Sequence, residues 1–201
     1  MAMRIGYALF AADNKRYMYS DNSGLSHCDG CGYRFDYFAH NDTFVLTPQF
    51  DASATYDGQN IVSKRFARYC KNNKFDENEF LSFSNDREHF HWIIHKIIKV
   101  NQTINPPTLD NLCAQCKRYE STAGASPLFL QEESIPRIGC FRTDIEFSCG
   151  NSKHPIFIAG IQTRDDFKSN GFTGIYFKPV YSMSTTLEDA IRDYRLFKTT
   201  E

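Results

Sequence analysis

The sequence lacks a surplus of charge of either sign: 23 Lys and Arg stand against 24 Asp and Glu in 201 residues, a formal net charge of -1. A protein held mainly by phosphate backbones needs a basic excess, so nucleic-acid binding is not expected as its main task, a local patch aside. Long apolar runs are missing too. Each is broken by charge within a few residues, short of the roughly 20 apolar residues a membrane helix requires. The run Ile5 to Ala12 looks faintly like a signal-peptide core, but it is short and enters Asp13-Asn14-Lys15 without a cleavage site. A soluble, cytoplasmic protein is expected. Also missing are G-x-S-x-G, H-E-x-x-H, the P-loop and a G-x-G-x-x-G after a strand. The acidic residues Asp51, Asp57, Asp76, Glu77 and Glu79 show no pairing for acid–base work and read as solvated loop residues. No catalytic residues are assigned, and the expectation is not an enzyme. What the chain does have is apolar material: 41% of residues, with 15% aromatic, enough for a core and too much for disorder.

The seven cysteines are an odd number, so they cannot all pair within the chain. Two C-x-x-C motifs stand out, Cys28-Asp29-Gly30-Cys31 and Cys113-Ala114-Gln115-Cys116, while Cys70, Cys140 and Cys149 are isolated. Without a secretory signal, paired motifs of this kind point to metal or redox chemistry before structural disulfides. Four thiolates close a tetrahedral zinc site, and Gly30 and Gly32 permit the positive φ a tight knuckle uses. Structural zinc held by Cys28, Cys31, Cys113 and Cys116 is therefore expected. Its binding free energy, roughly 10–16 kcal/mol in small peptides, rivals the net stability of a domain. Unligated thiols remain open, as does redox function. Redox function needs a low-pKa cysteine, usually at a helix start after a strand, and neither Cys28 nor Cys113 follows a strong strand pattern.

Asn101 to Asp110, with Pro106 and Pro107, reads as a connector between an N-terminal half (residues 1–100) and a C-terminal half (residues 111–201) of one compact unit. Each half repeats one order of parts. In the first, Cys28-x-x-Cys31 precedes a strand over Thr43–Thr47 ending at Pro48. Ile61-Val62-Ser63 then leads into a helix over Lys64–Lys71, capped by Ser63, with Phe66, Tyr69 and Cys70 on its apolar face. A strand over Glu79–Phe83 follows. In the second half, Cys113-x-x-Cys116 precedes Pro127–Leu130 and Ile156–Ile161. A helix capped by Thr163 and stopped at Gly171 comes next, then a strand over Thr173–Val180. His89 to Val100 reads as one strand of a central sheet, and Leu187 to Phe197 as a terminal helix with Leu187, Ile191, Tyr194 and Phe197 inward. The fold class is α+β, two strand-helix-strand halves around a mixed or antiparallel sheet.

On an extended strand His89 and His91 lie roughly 7 Å apart and His95 about 13 Å beyond His91, so these three cannot form a catalytic triad of ligands. They read as a half-exposed strand face. Phe35, Tyr37, Phe38 and Trp92 read as core. Lys64, Arg65, Arg68, Lys71 and Lys74 fall along one helix and define a rival reading, a zinc-dependent nucleic-acid-binding module.

Cys28-Asp29-Gly30-Cys31-Gly32, the second C-x-x-C, the Ile61–Ser63 approach to the helix and the closing Gly171–Val180 stretch together resemble the bacterial double-CXXCG proteins and related immunity proteins of polymorphic toxin systems. The stretch from Cys140 to Val180, with Phe141-Arg142-Thr143-Asp144 near its start, is the most typical. Lys117 departs from the pattern, standing where the second motif has glycine. The resemblance implies a non-enzymatic antidote that binds a cognate protein toxin in the cytoplasm, with no membrane partner.

Overall fold

The computed structural model describes residues 2–19, 25–47, 50–75, 78–124 and 126–199. Pro48, Asp76 and Glu77 lie outside these. The apolar run near the N-terminus becomes β1 (Arg4–Asp13), the strand around which the rest assembles. It pairs antiparallel with β11 (His154–Ala159) and β12 (Ile175–Tyr181), and parallel with β2 (Ala52–Ala54). Ile5 to Leu9 are all buried. Such continuous apolar character marks a strand covered on both faces. Tyr7 and Leu9 enter one core and Ala8 the other, as the two-residue period of a strand requires.

On one flank the sheet continues from β2 through β3 (Asn60–Ser63) and β5 (His89–Ile94) to β4 (Asn78–Ser82). On the other it runs from β11 through β10 (Cys140–Cys149) and β8 (Tyr119–Ala123) to β7 (Thr108–Leu112). The short strands β6 (Ile97–Ile98) and β9 (Leu128–Phe129) pair with β10 and β12. The described residues thus form one mixed sheet of twelve strands, with helices α1 (Lys64–Asn72), α2 (Ile161–Ser169) and α3 (Leu187–Lys198). β7 begins inside the stretch read as a connector.

Helix α1 starts where Ser63 accepts from the Phe66 amide, satisfying a first-turn donor. Phe66, Ala67 and Cys70 are buried. The Phe66 ring meets Trp92, Phe167 and Phe172 at centroid distances of 5.0, 4.9 and 5.0 Å. Residues from both sequence halves therefore share one aromatic core. Trp92 is central to it, Tyr37 packs on it, and Phe35 is exposed.

Several expected elements differ. Thr43–Thr47 is not a strand. Phe44 and Leu46 are buried beside Met18, Ile61 and Phe83, but the Phe44 amide bonds a turn carbonyl and the Leu46 amide bonds the Asp86 carboxylate. The alternation is real, yet no neighbouring strand takes these amides. The expected strand His89–Val100 is two strands. It breaks at exposed His95 and Lys96, so β5 pairs with β3 and β4 while β6 joins β10. Thr163 is not the cap of α2. Gly160 is, because a Cβ there would sit 2.4 Å from the carbonyl oxygens of Pro136 and Arg137. The Thr163 hydroxyl instead accepts from the Gly139 amide at 2.8 Å. Gly171 ends the helix at φ +63° as expected. In α3 the buried residues are Ala190, Tyr194 and Phe197, with Leu187 and Ile191 half-buried.

Candidate metal centre

Each C-x-x-C motif sits in the turn of a small antiparallel hairpin. In the first, His27 bridges Arg34, the Cys28 amide donates to the Tyr33 carbonyl at 2.9 Å, and the Gly32 amide donates to the Cys28 carbonyl at 2.7 Å. In the second, Leu112 pairs with Tyr119, the Cys113 amide donates to the Arg118 carbonyl at 2.9 Å, and the Lys117 amide donates to the Cys113 carbonyl at 2.9 Å. Every partner in one hairpin has its counterpart 85 residues away. The turn needs a left-handed residue after the second cysteine, and Gly32 supplies it at φ +73°. Lys117 adopts the same conformation at φ +59°, so the missing glycine does not change the turn. Gly30 acts through space rather than dihedral: a Cβ there would lie 2.8 Å from Gln115 Oε1 and 3.3 Å from Cys113 Sγ.

The hairpins meet head to head. Cys28 Sγ lies 3.7 Å from Cys113 Sγ, and Cys31 Sγ lies 3.7 Å from Cys116 Sγ. All four sulfur atoms are within 4.8 Å of one another. A tetrahedral ion with metal–sulfur bonds of about 2.3 Å separates its ligands by about 3.8 Å. The thiols are free, not disulfide-bonded, and the group can hold a metal ion. Among the described residues it is the one group of three or more His, Cys, Asp or Glu placed to do so.

Local fields act in opposite directions on two of the four thiols. The Cys116 and Gln115 amides, then the neighbouring thiols, bring the Cys113 thiol down to about 7. At Cys31 the Tyr33 amide favours the thiolate, but desolvation and hydrogen bonds with Cys116, Cys113 and Cys28 outweigh it, raising that thiol to about 12. Two cations stand nearby. Arg118 lies over the Tyr33 ring at 4.4 Å and donates to its hydroxyl. Lys153 donates to the Tyr119 carbonyl at 2.8 Å and to Thr122 Oγ1 at 3.0 Å. Burial lowers its pKa, while Glu146 and the Cys31 and Cys116 thiolates act the other way. A divalent ion with four thiolates carries charge -2, which these cations offset.

The first hairpin is anchored by a buried ion pair. Arg34 Nη1 lies 3.2 Å from Asp57 Oδ2, with the side chains 6% and 1% exposed. Arg34 also donates to the Asn151 carbonyl at 2.9 Å, and Asp57 accepts from the Met18 and Tyr19 amides. Arg34, Asp57, Tyr33, Arg118 and Lys153 were not identifiable as site residues from the sequence, although Tyr33 and Arg118 each stand two places after a motif's last cysteine.

Other candidate residues have separate partners. His89 pairs with Asp86 at 2.9 Å, His91 with Gln59 at 2.9 Å and His95 with Glu79 at 2.7 Å. His40 stacks on His91 with its Nδ1 3.3 Å from the His91 Nδ1. Desolvation, then the charge of His40, lowers His91 to about 3, so it stays neutral. The acidic residues are not all solvated: Asp57 is buried, and Asp51 accepts from Ser63, Arg65 and Thr173. Of the basic helix residues, Lys64 pairs with Glu88 at 2.9 Å and Arg65 with Asp51 at 2.6 Å. Cys70 and Cys140 are packed in the first core, and burial raises the Cys70 thiol. No helix among the described residues is long and apolar enough to cross a membrane.

No protein-family model, curated protein or solved structure matches the chain.

Proposed function

We propose that this is a non-enzymatic immunity protein that binds and neutralises a cognate bacterial toxin in the cytoplasm. In this reading one structural zinc ion, held by Cys28, Cys31, Cys113 and Cys116, clamps the N-terminal half to the C-terminal half. The observation that carries it is the meeting of four thiols from hairpins 85 residues apart at 3.7 Å spacing. Neutralising another protein requires a rigid surface with a few aromatic or arginine anchors. Arg118 at the second hairpin and exposed Phe35, Leu112 and Tyr119 near the cluster are residues of that kind; Tyr33 is buried beneath Arg118. The sequence resemblance to double-CXXCG and immunity proteins supplies the functional class.

The test is co-purification with the protein encoded beside this gene, followed by assay of that protein's toxicity. A stoichiometric complex and loss of toxicity support the proposal; neither binding nor protection overturns it. The rival nucleic-acid reading predicts affinity that falls steeply with salt. Ion pairing of Lys64 and Arg65 weighs against it. A thiol redox enzyme, the remaining alternative, requires a thiol that stays open to alkylation before any chelator is added.

A further inference from the structure

Oxidation of a four-cysteine cluster can proceed along two routes. Sulfurs can join within each C-x-x-C, which separates the hairpins once the metal leaves, or across the hairpins, which keeps them joined. We propose that this cluster is a modification site of the second kind: a peroxide-class oxidant converts it to the disulfides Cys28–Cys113 and Cys31–Cys116. The proposal rests on the reading of the cluster as a metal site.

The cross-hairpin route has a direct geometric basis, within a cluster whose four sulfurs all lie within 4.8 Å of one another. Each cross-hairpin pair is already in contact at 3.7 Å. Reaching a disulfide length of about 2.05 Å takes a shift of about 0.8 Å per sulfur. Side-chain rotation supplies that shift, leaving the Gly32-to-Cys28 and Lys117-to-Cys113 turn hydrogen bonds intact. Gly30, having no side chain, already lets Cys113 and Gln115 sit against the first turn. Access fits as well, because Cys31, Cys113 and Cys116 are half-buried while Cys28 is buried. Each pair therefore holds a sulfur that peroxide can reach.

The chemistry balances. A thiolate attacks one peroxide oxygen, the O–O bond breaks, hydroxide leaves and a sulfenic acid forms. The partner sulfur attacks the sulfenic sulfur, the S–O bond breaks and a second hydroxide leaves. Two protons per pair, from the thiols or from solvent where the metal held thiolates, convert both hydroxides to water. Two peroxides are reduced, four thiols are oxidised to two disulfides, and the metal ion is released.

The experiment uses the full chain loaded with zinc and titrated with hydrogen peroxide. Metal release is followed with a chromogenic indicator, and disulfides are mapped by mass spectrometry of alkylated, unreduced digests. The expected result is two peroxides consumed per zinc released, with the peptide bearing Cys28 and Cys31 joined to the peptide bearing Cys113 and Cys116. The oxidised protein should melt above the reduced, chelator-treated protein, and dithiothreitol should reverse the change. Separate peptides closed as Cys28–Cys31 and Cys113–Cys116, or links to exposed Cys149, overturn the proposal. Two double variants fix the pairing. Cys28→Ser with Cys113→Ser should still close Cys31 to Cys116, and faster than Cys28→Ser with Cys116→Ser closes Cys31 to Cys113. Equal or reversed rates overturn it. Metal analysis of untreated protein is a separate readout: a chain that binds no zinc yet forms the cross-hairpin links refutes the zinc reading alone.

Discussion

Replacing Arg34 by Met removes the cation that holds the first hairpin to the sheet, and the structure sets the size of the effect. The Asp57 side chain is 1% exposed and that of Arg34 6%, so water does not compensate the carboxylate left behind. Asp57 keeps the Met18 and Tyr19 amides at 2.9 and 3.1 Å but loses its counter-ion. The Asn151 carbonyl loses a donor as well. Breaking a buried pair by removing one partner costs about 3–5 kcal/mol. With a urea slope of about 2–3 kcal/mol/M, the unfolding midpoint should fall by about 1–2.5 M. The double variant Arg34→Met with Asp57→Asn should recover part of that loss, because no net charge remains buried. The first hairpin carries Cys28 and Cys31, so Arg34→Met should also speed zinc transfer to a competing chelator. A single-variant loss below about 0.5 kcal/mol, typical of a surface site, would refute the argument that this pair is buried and anchors the hairpin.

Four further outcomes follow. Lys117→Gly should stabilise the protein by up to about 1 kcal/mol in urea unfolding, since the φ of +59° strains lysine and suits glycine; a loss of stability would contradict that conformation. Ser63→Ala removes the α1 cap and the hydroxyl bonded to Asp51, and should cost about 1–2 kcal/mol by the same measurement. His91, lowered to about 3, binds its proton in the unfolded chain first, so stability is full above pH about 6.5 and declines as the pH falls toward 3. His91→Gln should flatten that slope in urea midpoints measured across the window. Asp51 is lowered to about 2: desolvation alone would raise it, but the Arg65, Thr173 and Ser63 hydrogen bonds prevail. Its contribution is present above pH about 4 and lost as the pH falls through about 2, and Asp51→Asn should remove this acid-range dependence.

The four ligand positions were legible because C-x-x-C spacing is a local signal, readable without knowing which strands pair. The same holds for α1, where Ser63, Phe66 and Cys70 mark a cap and a face within two turns. What stayed hidden depends on partners distant in the chain. Arg34 and Asp57 are ordinary charged residues in sequence, and only the packing of the first hairpin against the β2–β3 turn makes them a buried pair. Thr43–Thr47 carries strand-like alternation, yet the Phe44 and Leu46 amides find a turn carbonyl and a carboxylate rather than a neighbouring strand. Thr163 looks like a cap because hydroxyls suit that position, but Gly160 is required by two carbonyl oxygens of a remote loop. Lys117 was a departure from the glycine pattern; a favourable hairpin frame overrides its intrinsic preference.

X-ray absorption at the zinc edge, on protein purified without added chelator, tests the central claim most directly. The account predicts one zinc per chain with four sulfur neighbours at about 2.3 Å and no nitrogen or oxygen in the first shell. Zinc bound through nitrogen or oxygen, or a folded reduced chain that takes up no metal, would contradict it.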